Sequence, residues 1–133
     1  MNGKIDILII EDHIEIANWM ISRLKMDKYY IHWSGSYTEG IAYLKENSPE
    51  IIILDLQLPD GKGFDILKSV KEMKESILVY VFSINSAMRR ACLLNGADGF
   101  FDKNGEGDAL VETVVDYINN HSRLSKKEFR QPL

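Results

Sequence analysis

Cysteine is almost absent from this chain of 133 residues: Cys92 is the only one. A lone thiol cannot close an internal disulfide, so the fold rests on its core, and the composition fits a reducing compartment. Set in an alanine- and leucine-rich stretch, Cys92 reads as a small buried hydrophobe rather than a reactive group. Proline is scarce, with 3 residues, and 9 glycines keep the chain far from collagen-like or low-complexity composition. No apolar run approaches the ~20 residues a membrane-spanning helix needs. The opening MNGKIDILIIED turns acidic too soon for a cleaved signal sequence, so the expectation is a soluble, cytoplasmic protein without membrane contact. Basic clusters are missing outside residues 123–133, where Arg123, Lys126, Lys127 and Arg130 face only Glu128; the rest carries 12 basic and 19 acidic residues. That acidic body offers a phosphate backbone no positive stripe, which argues against direct nucleic-acid binding by this domain.

What the chain does have is a regular alternation. At 45% hydrophobic and 27% charged, it has the makings of one globular domain, expected over residues 1–121, with residues 122–133 as a tail or the start of a linker. Apolar runs alternate with helix-period segments five times, the pattern of a parallel sheet wrapped on both faces by helices. The runs at residues 5–10, 29–34, 50–55, 77–82 and 99–102 read as strands, the second as a less apolar edge. Ile14, Ala17, Met20, Ile21 and Leu24 mark the inner face of a first helix. Further helices are expected over residues 38–47, stopped by Pro49, and over 63–73 and 86–95, the latter stopped by Gly96. Leu110, Val111, Val114, Val115 and Ile118 give the last helix an apolar stripe at spacings of three and four.

Open parallel sheets bind ligands just beyond the carboxyl ends of their strands. In this chain those positions are polar: Glu11 and Asp12 after the first strand, Asp55 in ILDLQLPDG after the third, Ser83 after the fourth, and Lys103 after the fifth. Three carboxylates in one crevice repel unless a cation joins them. Hard oxygen donors favour Mg²⁺, which accepts one or two carboxylates and keeps several waters. His13 has no second histidine at metal-ligand spacing and reads as a helix-entry side chain. Lys103 supplies a fixed cation and Ser83 a hydroxyl able to donate to an oxyanion. A metal site, a cation, a hydroxyl and a central carboxylate together describe phosphoryl transfer onto an aspartate.

These motifs, with LDLQLPDGKG and GADGFFDK around them, resemble the CheY-like receiver domain of two-component response regulators over roughly residues 4–120. The resemblance implies a doubly wound α/β fold, (βα)5 and flavodoxin-like, with strand order 2-1-3-4-5. It implies Asp55 as phosphoacceptor and Mg²⁺ held by Asp12, Asp55 and the Gln57 backbone carbonyl, with Glu11 acting through water. Ser83 and Lys103 complete the catalytic set. A sensor histidine kinase or phosphotransfer protein is the implied donor, and the only reactions catalysed are the domain's own phosphorylation and dephosphorylation. The implied output face is the fourth helix, fifth strand and fifth helix, which also suits a homodimer.

Departures from the family's pattern accompany the match. Phe100 stands at the aromatic switch position, three before the lysine, without a tyrosine hydroxyl. Asn104 replaces the commoner proline after Lys103, which disfavours a cis peptide there. Ile84 follows Ser83 where a small residue is usual, so it is expected to narrow access to Asp55. Replacing Ile84 with Ala should accelerate phosphorylation by acetyl phosphate; an unchanged rate would sink the idea. Gln57 and Asn85 flank the entry of attacking water and are expected to tune dephosphorylation.

Two other classes also place an aspartate at a strand end. An aspartate-nucleophile phosphatase of the haloacid dehalogenase type uses a second acid two positions on, where this chain has Gln57, and it needs sequence for a cap. A non-phosphorylated pseudo-receiver would act as an interaction module, but would not require the whole set of charged groups. The tail HSRLSKKEFRQPL resembles the connector to a helix-turn-helix output domain in LuxR/NarL-class regulators, and Ser125 with Glu128 has capping-box spacing. A stand-alone single-domain regulator is the other reading of the same tail.

Overall fold

The computed structural model describes residues 5–24 and 29–130, with side chains through residue 121. Its main elements are β1 (Ile5–Ile10), α1 (Ile14–Leu24), β2 (Tyr29–Ser34), α2 (Tyr37–Glu46) and β3 (Ile51–Leu54). A short ribbon of β4 (Gln57–Leu58) and β5 (Gly61–Lys62) precedes α3 (Gly63–Lys71), β6 (Leu78–Ser83), α4 (Arg89–Leu94), β7 (Gly99–Asp102) and α5 (Gly107–Arg130). Five strands form one parallel sheet in the order β2-β1-β3-β6-β7. Counted as sheet strands, this is the expected order 2-1-3-4-5, with β3 central between β1 and β6.

The strands read as unbroken apolar runs because both sheet faces are covered. Side chains alternate across a strand, and here the alternation sorts them into two cores. Ile5, Ile7, Ile9, Ile51, Ile53, Tyr80 and Phe82 face Met20 and Leu24 of α1 and Leu110, Val111, Val114 and Ile118 of α5. Leu8, Ile10, Ile52, Leu54, Val79, Val81 and Phe100 face Ile66, Leu67 and Val70 of α3 and Cys92 of α4. Cys92 is fully buried, and burial raises its thiol pKa, in keeping with an inert packing role.

Several local expectations need correction. Ile14 is 50% exposed; as the first residue of α1 it precedes the point where the helix meets the sheet, and Ala17, Met20 and Leu24 carry the inner face. The segment expected as one helix over residues 86–95 begins as a 3-10 turn, Ser86–Met88, before α4. The β4–β5 ribbon was not anticipated, because two-residue strands leave no periodicity. α5 runs on to Arg130, so Ser125 and Glu128 lie within one continuous helix and not at the start of another; the side chains of residues 122–133 lie outside those described. Every described peptide bond is trans, and no helix among the described residues is long and apolar enough to cross a membrane.

Candidate phosphoacceptor site

The sheet edge gathers the residues that the strand ends carry. Ladder hydrogen bonding continues one residue past the strands and fixes these backbones: Glu11 N–H donates to Ser34 O at 3.0 Å, Asp55 N–H to Ile10 O at 2.9 Å, and Lys103 N–H to Ser83 O at 3.0 Å. Their side chains converge on one crevice. Glu11, Asp55 and Ser83 are buried, at 1%, 4% and 0% exposure. The Lys103 ammonium lies 2.9 Å from Glu11 Oε1 and 3.3 Å from Asp55 Oδ2, a buried cation between two buried carboxylates. Such a cation offsets part of the desolvation that two buried anions suffer.

Asp55 feels both influences. Burial, and then the charge of Glu11, push its pKa up from 3.8 to about 6, against the lowering effect of Lys103 and of the Gln57 N–H. That N–H donates to Asp55 Oδ1 at 3.3 Å. The next element presses close: a side chain on Gly63, at the start of α3, would collide with the Asp55 carbonyl oxygen. Only glycine lets the α3 N-terminus pack there.

Asp12 is placed differently. Both Glu11 oxygens are engaged, Oε1 by Lys103 and Oε2 by the His13 N–H at 3.1 Å. Asp12 Oδ1 is buried and accepts no hydrogen bond, although His13 Nδ1 lies 3.3 Å away. Ligand atoms of Glu11, Asp12, His13 and Asp55 all fall within 4.8 Å of one another. A carboxylate oxygen left without a donor, among other hard oxygens in an anionic crevice, suits a hard divalent cation. The imidazole of His13 belongs to this cluster in space, although its side chain is 63% exposed.

Ser83 Oγ accepts the Asn85 N–H at 3.0 Å, which leaves the hydroxyl proton available to a ligand. Ile84 is 56% exposed, its side chain standing in solvent on the rim. Phe100 points inward, 4% exposed, into the core under α4. Arg89 covers it, with its guanidinium carbon 4.9 Å from the ring centroid, and donates to the Phe100 carbonyl at 3.0 Å and to Glu106 Oε1 at 2.8 Å. Glu106 in turn accepts the Asp102 N–H at 2.8 Å, next to Lys103. The start of α4 and the Lys103 loop are thereby tied through one ion pair.

Sequence reasoning passed over three residues near this edge. Trp33, in the edge strand, donates its indole N–H to the Glu11 carbonyl at 2.7 Å. Asp60, in the PDG stretch after Asp55, accepts the N–H groups of Tyr37 and Thr38 and the Thr38 hydroxyl at 2.6 to 3.0 Å. The third is Arg89, with its contacts to Phe100 and Glu106. Only for Trp33 was there a signal: the predicted strand order sets the end of the second strand beside Glu11.

The family model described as response regulator receiver domain matches residues 7–115. A nitrate/nitrite response regulator protein homolog from Haemophilus influenzae is 29% identical over 118 residues, 86% of this chain and 57% of that protein. The DNA-binding transcriptional activator DevR/DosR of Mycobacterium tuberculosis is 26% identical over 129 residues, 92% of this chain and 58% of that protein. The chain thus spans little more than half the length of these curated relatives. Among solved structures, the response regulator TrrA of Thermotoga maritima, in complex with Mg²⁺ and BeF, superposes with a TM-score of 0.74 at 20% identity, over 84% of this chain and 97% of that one. A family match running from β1 into α5, over a sheet whose carboxyl edge collects these acidic groups, leaves one assignment: the chain belongs to the response regulator receiver domains of two-component signalling.

Proposed function

We propose that Asp55 is the phosphoacceptor, that it takes a phosphoryl group from a histidine kinase or phosphotransfer protein, and that the reaction depends on Mg²⁺. The observation that carries this reading is the Lys103 ammonium set between two buried carboxylates, one of them Asp55. An Asp55 oxygen attacks phosphorus as the donor's P–N bond breaks, and the histidine nitrogen leaves with the bonding pair. The attacking group must be ionised; with a pKa of about 6, Asp55 is mostly so at neutral pH and more nucleophilic than an ordinary carboxylate. Lys103 faces the oxygens on which charge accumulates, and the Ser83 proton is free to meet a phosphoryl oxygen once it arrives.

Asp12, Asp55 and the Gln57 carbonyl would hold the metal, with Glu11 acting through water because Lys103 and His13 already engage its oxygens. Bound there, Mg²⁺ supplies positive charge for the transferring group. Ile84 and Asn85 on the rim modulate donor and water access, and Phe100 with its Arg89 cover relays the change to α4, β7 and α5, the surface through which an output or a second copy is engaged. The domain works in the cytoplasm, and the output it controls is transcriptional.

Incubation with acetyl phosphate and Mg²⁺ should add one phosphoryl group to Asp55 and leave a slowly hydrolysed adduct. Continuous turnover would indicate a phosphatase, and neither adduct nor beryllofluoride binding would indicate an interaction module. The Asp12→Ala variant should lose Mg²⁺ affinity by about a hundredfold, at or beyond the upper end for outer-shell losses, with its fold intact by circular dichroism. Unaltered affinity in a calorimetric titration would remove Asp12 from the site.

A further inference from the structure

Asp12 lacks what holds its neighbours. Lys103 fixes Glu11 and Asp55 through their carboxylates, whereas Asp12 Oδ1 receives no hydrogen bond at all. Apart from His13 Nδ1 at 3.3 Å, whose side chain is itself 63% exposed, its direction depends on its backbone, above all on the peptide plane joining Glu11 to Asp12. The carbonyl of that peptide belongs to Glu11, and the Trp33 indole N–H donates to it at 2.7 Å. The amide on the other side of Glu11 donates to Ser34 O at 3.0 Å. Both backbone polar groups of Glu11 are thus bonded to the last two residues of the edge strand. Pinning the carbonyl fixes ψ of Glu11 and with it the peptide plane that places the Asp12 N and Cα, the base from which the Asp12 side chain leaves the chain.

The geometry points to Trp33 as a positioning residue for the metal site: its indole N–H orients the Glu11–Asp12 peptide and so aims the Asp12 carboxylate into the crevice. The inference rests on the proposed Mg²⁺ site. Trp33 is 37% exposed, more than a ring kept only for core packing needs, and even a side chain on Gly35 would only just touch its six-membered ring. Phenylalanine keeps a six-membered ring and removes the donor together with the five-membered ring that carries it.

Calorimetric Mg²⁺ titration of the Trp33→Phe variant should show about tenfold weaker binding than the unmodified domain, the scale of outer-shell losses, with little change in thermal midpoint measured without metal. Equal affinity in the two proteins would overturn the inference, as would a lowered midpoint with affinity intact, which marks packing alone. If the unmodified domain takes up no Mg²⁺, the proposed site itself fails, a result distinguishable from either. Should Trp33→Phe not fold, fluorescence decides. The chain has two tryptophans, and in the Trp19→Phe variant the emission of Trp33 should shift on Mg²⁺ addition through its bond to Glu11. No shift there would also overturn the assignment.

Discussion

Asp55→Asn is expected to abolish phosphoryl labelling and, in the metal-free domain at pH 7.5, to raise the thermal midpoint by about 9 to 15 °C. Loss of labelling follows from the amide, which cannot form an acyl phosphate. The gain in stability follows from burial. The folded-state pKa of about 6 lies above the ordinary 3.8, so between these values the folded chain binds a proton that the unfolded chain has released. The contribution of Asp55 to stability is thus fully present below about pH 4 and is lost as pH rises through 6. Above pH 6 the charged carboxylate costs about 3 kcal/mol, from roughly two pKa units at ~1.4 kcal/mol each. Asparagine keeps the shape without the charge, and a midpoint moves about 3 to 5 °C per kcal/mol in a domain of this size. The advantage of the variant should vanish near pH 4 and shrink at neutral pH in Mg²⁺. An Asn variant no more stable than the parent at pH 7.5 would refute the account of Asp55 as a desolvated, repelled carboxylate.

Lys103→Met should have the opposite effect. Methionine matches much of the lysine stem but leaves Glu11 and Asp55 facing each other without the ammonium now 2.9 and 3.3 Å away. Removing one partner from a buried ionic cluster typically destabilises by about 3 to 5 kcal/mol, and urea unfolding at pH 7.5 should register a loss of that order. Because Lys103 lowers the Asp55 pKa, its removal drives that pKa higher still. Part of the loss should then be recovered at pH 5.5, where Asp55 is protonated, and part by saturating Mg²⁺. An equal loss at both pH values would mean that the lysine stem, not its charge, carries the effect. In Asp55→Asn the same substitution should do less harm, since one of the two stranded charges is already gone.

How far the sequence reaches into this molecule depends on the range of the interaction. Strands and the last helix were legible because burial on two faces writes continuous apolar runs and three-four spacings into the chain. Glu11, Asp55, Ser83 and Lys103 were legible because each follows such a run, and the doubly wound topology brings run ends together. Ile14 misled because it satisfies the helical spacing yet sits at the first turn, where α1 has not yet reached the sheet. The 3-10 turn at Ser86–Met88 and the ribbon at Gln57 and Lys62 are too short to leave a period. Trp33, Asp60 and Arg89 act through hydrogen bonds to residues distant in sequence, and no local pattern encodes such partners.

The PDG turn carries more than a change of direction. Asp60 bonds the first turn of α2, and a side chain on Gly61 would run into the Tyr37 ring, so residues 37–60 form a loop closed on itself beside the crevice. The arm that bears Gln57 is therefore ordered by folding itself. Conformational entropy on that side of the crevice is surrendered once, when the domain forms, so any ligand entering it meets an arm already restrained.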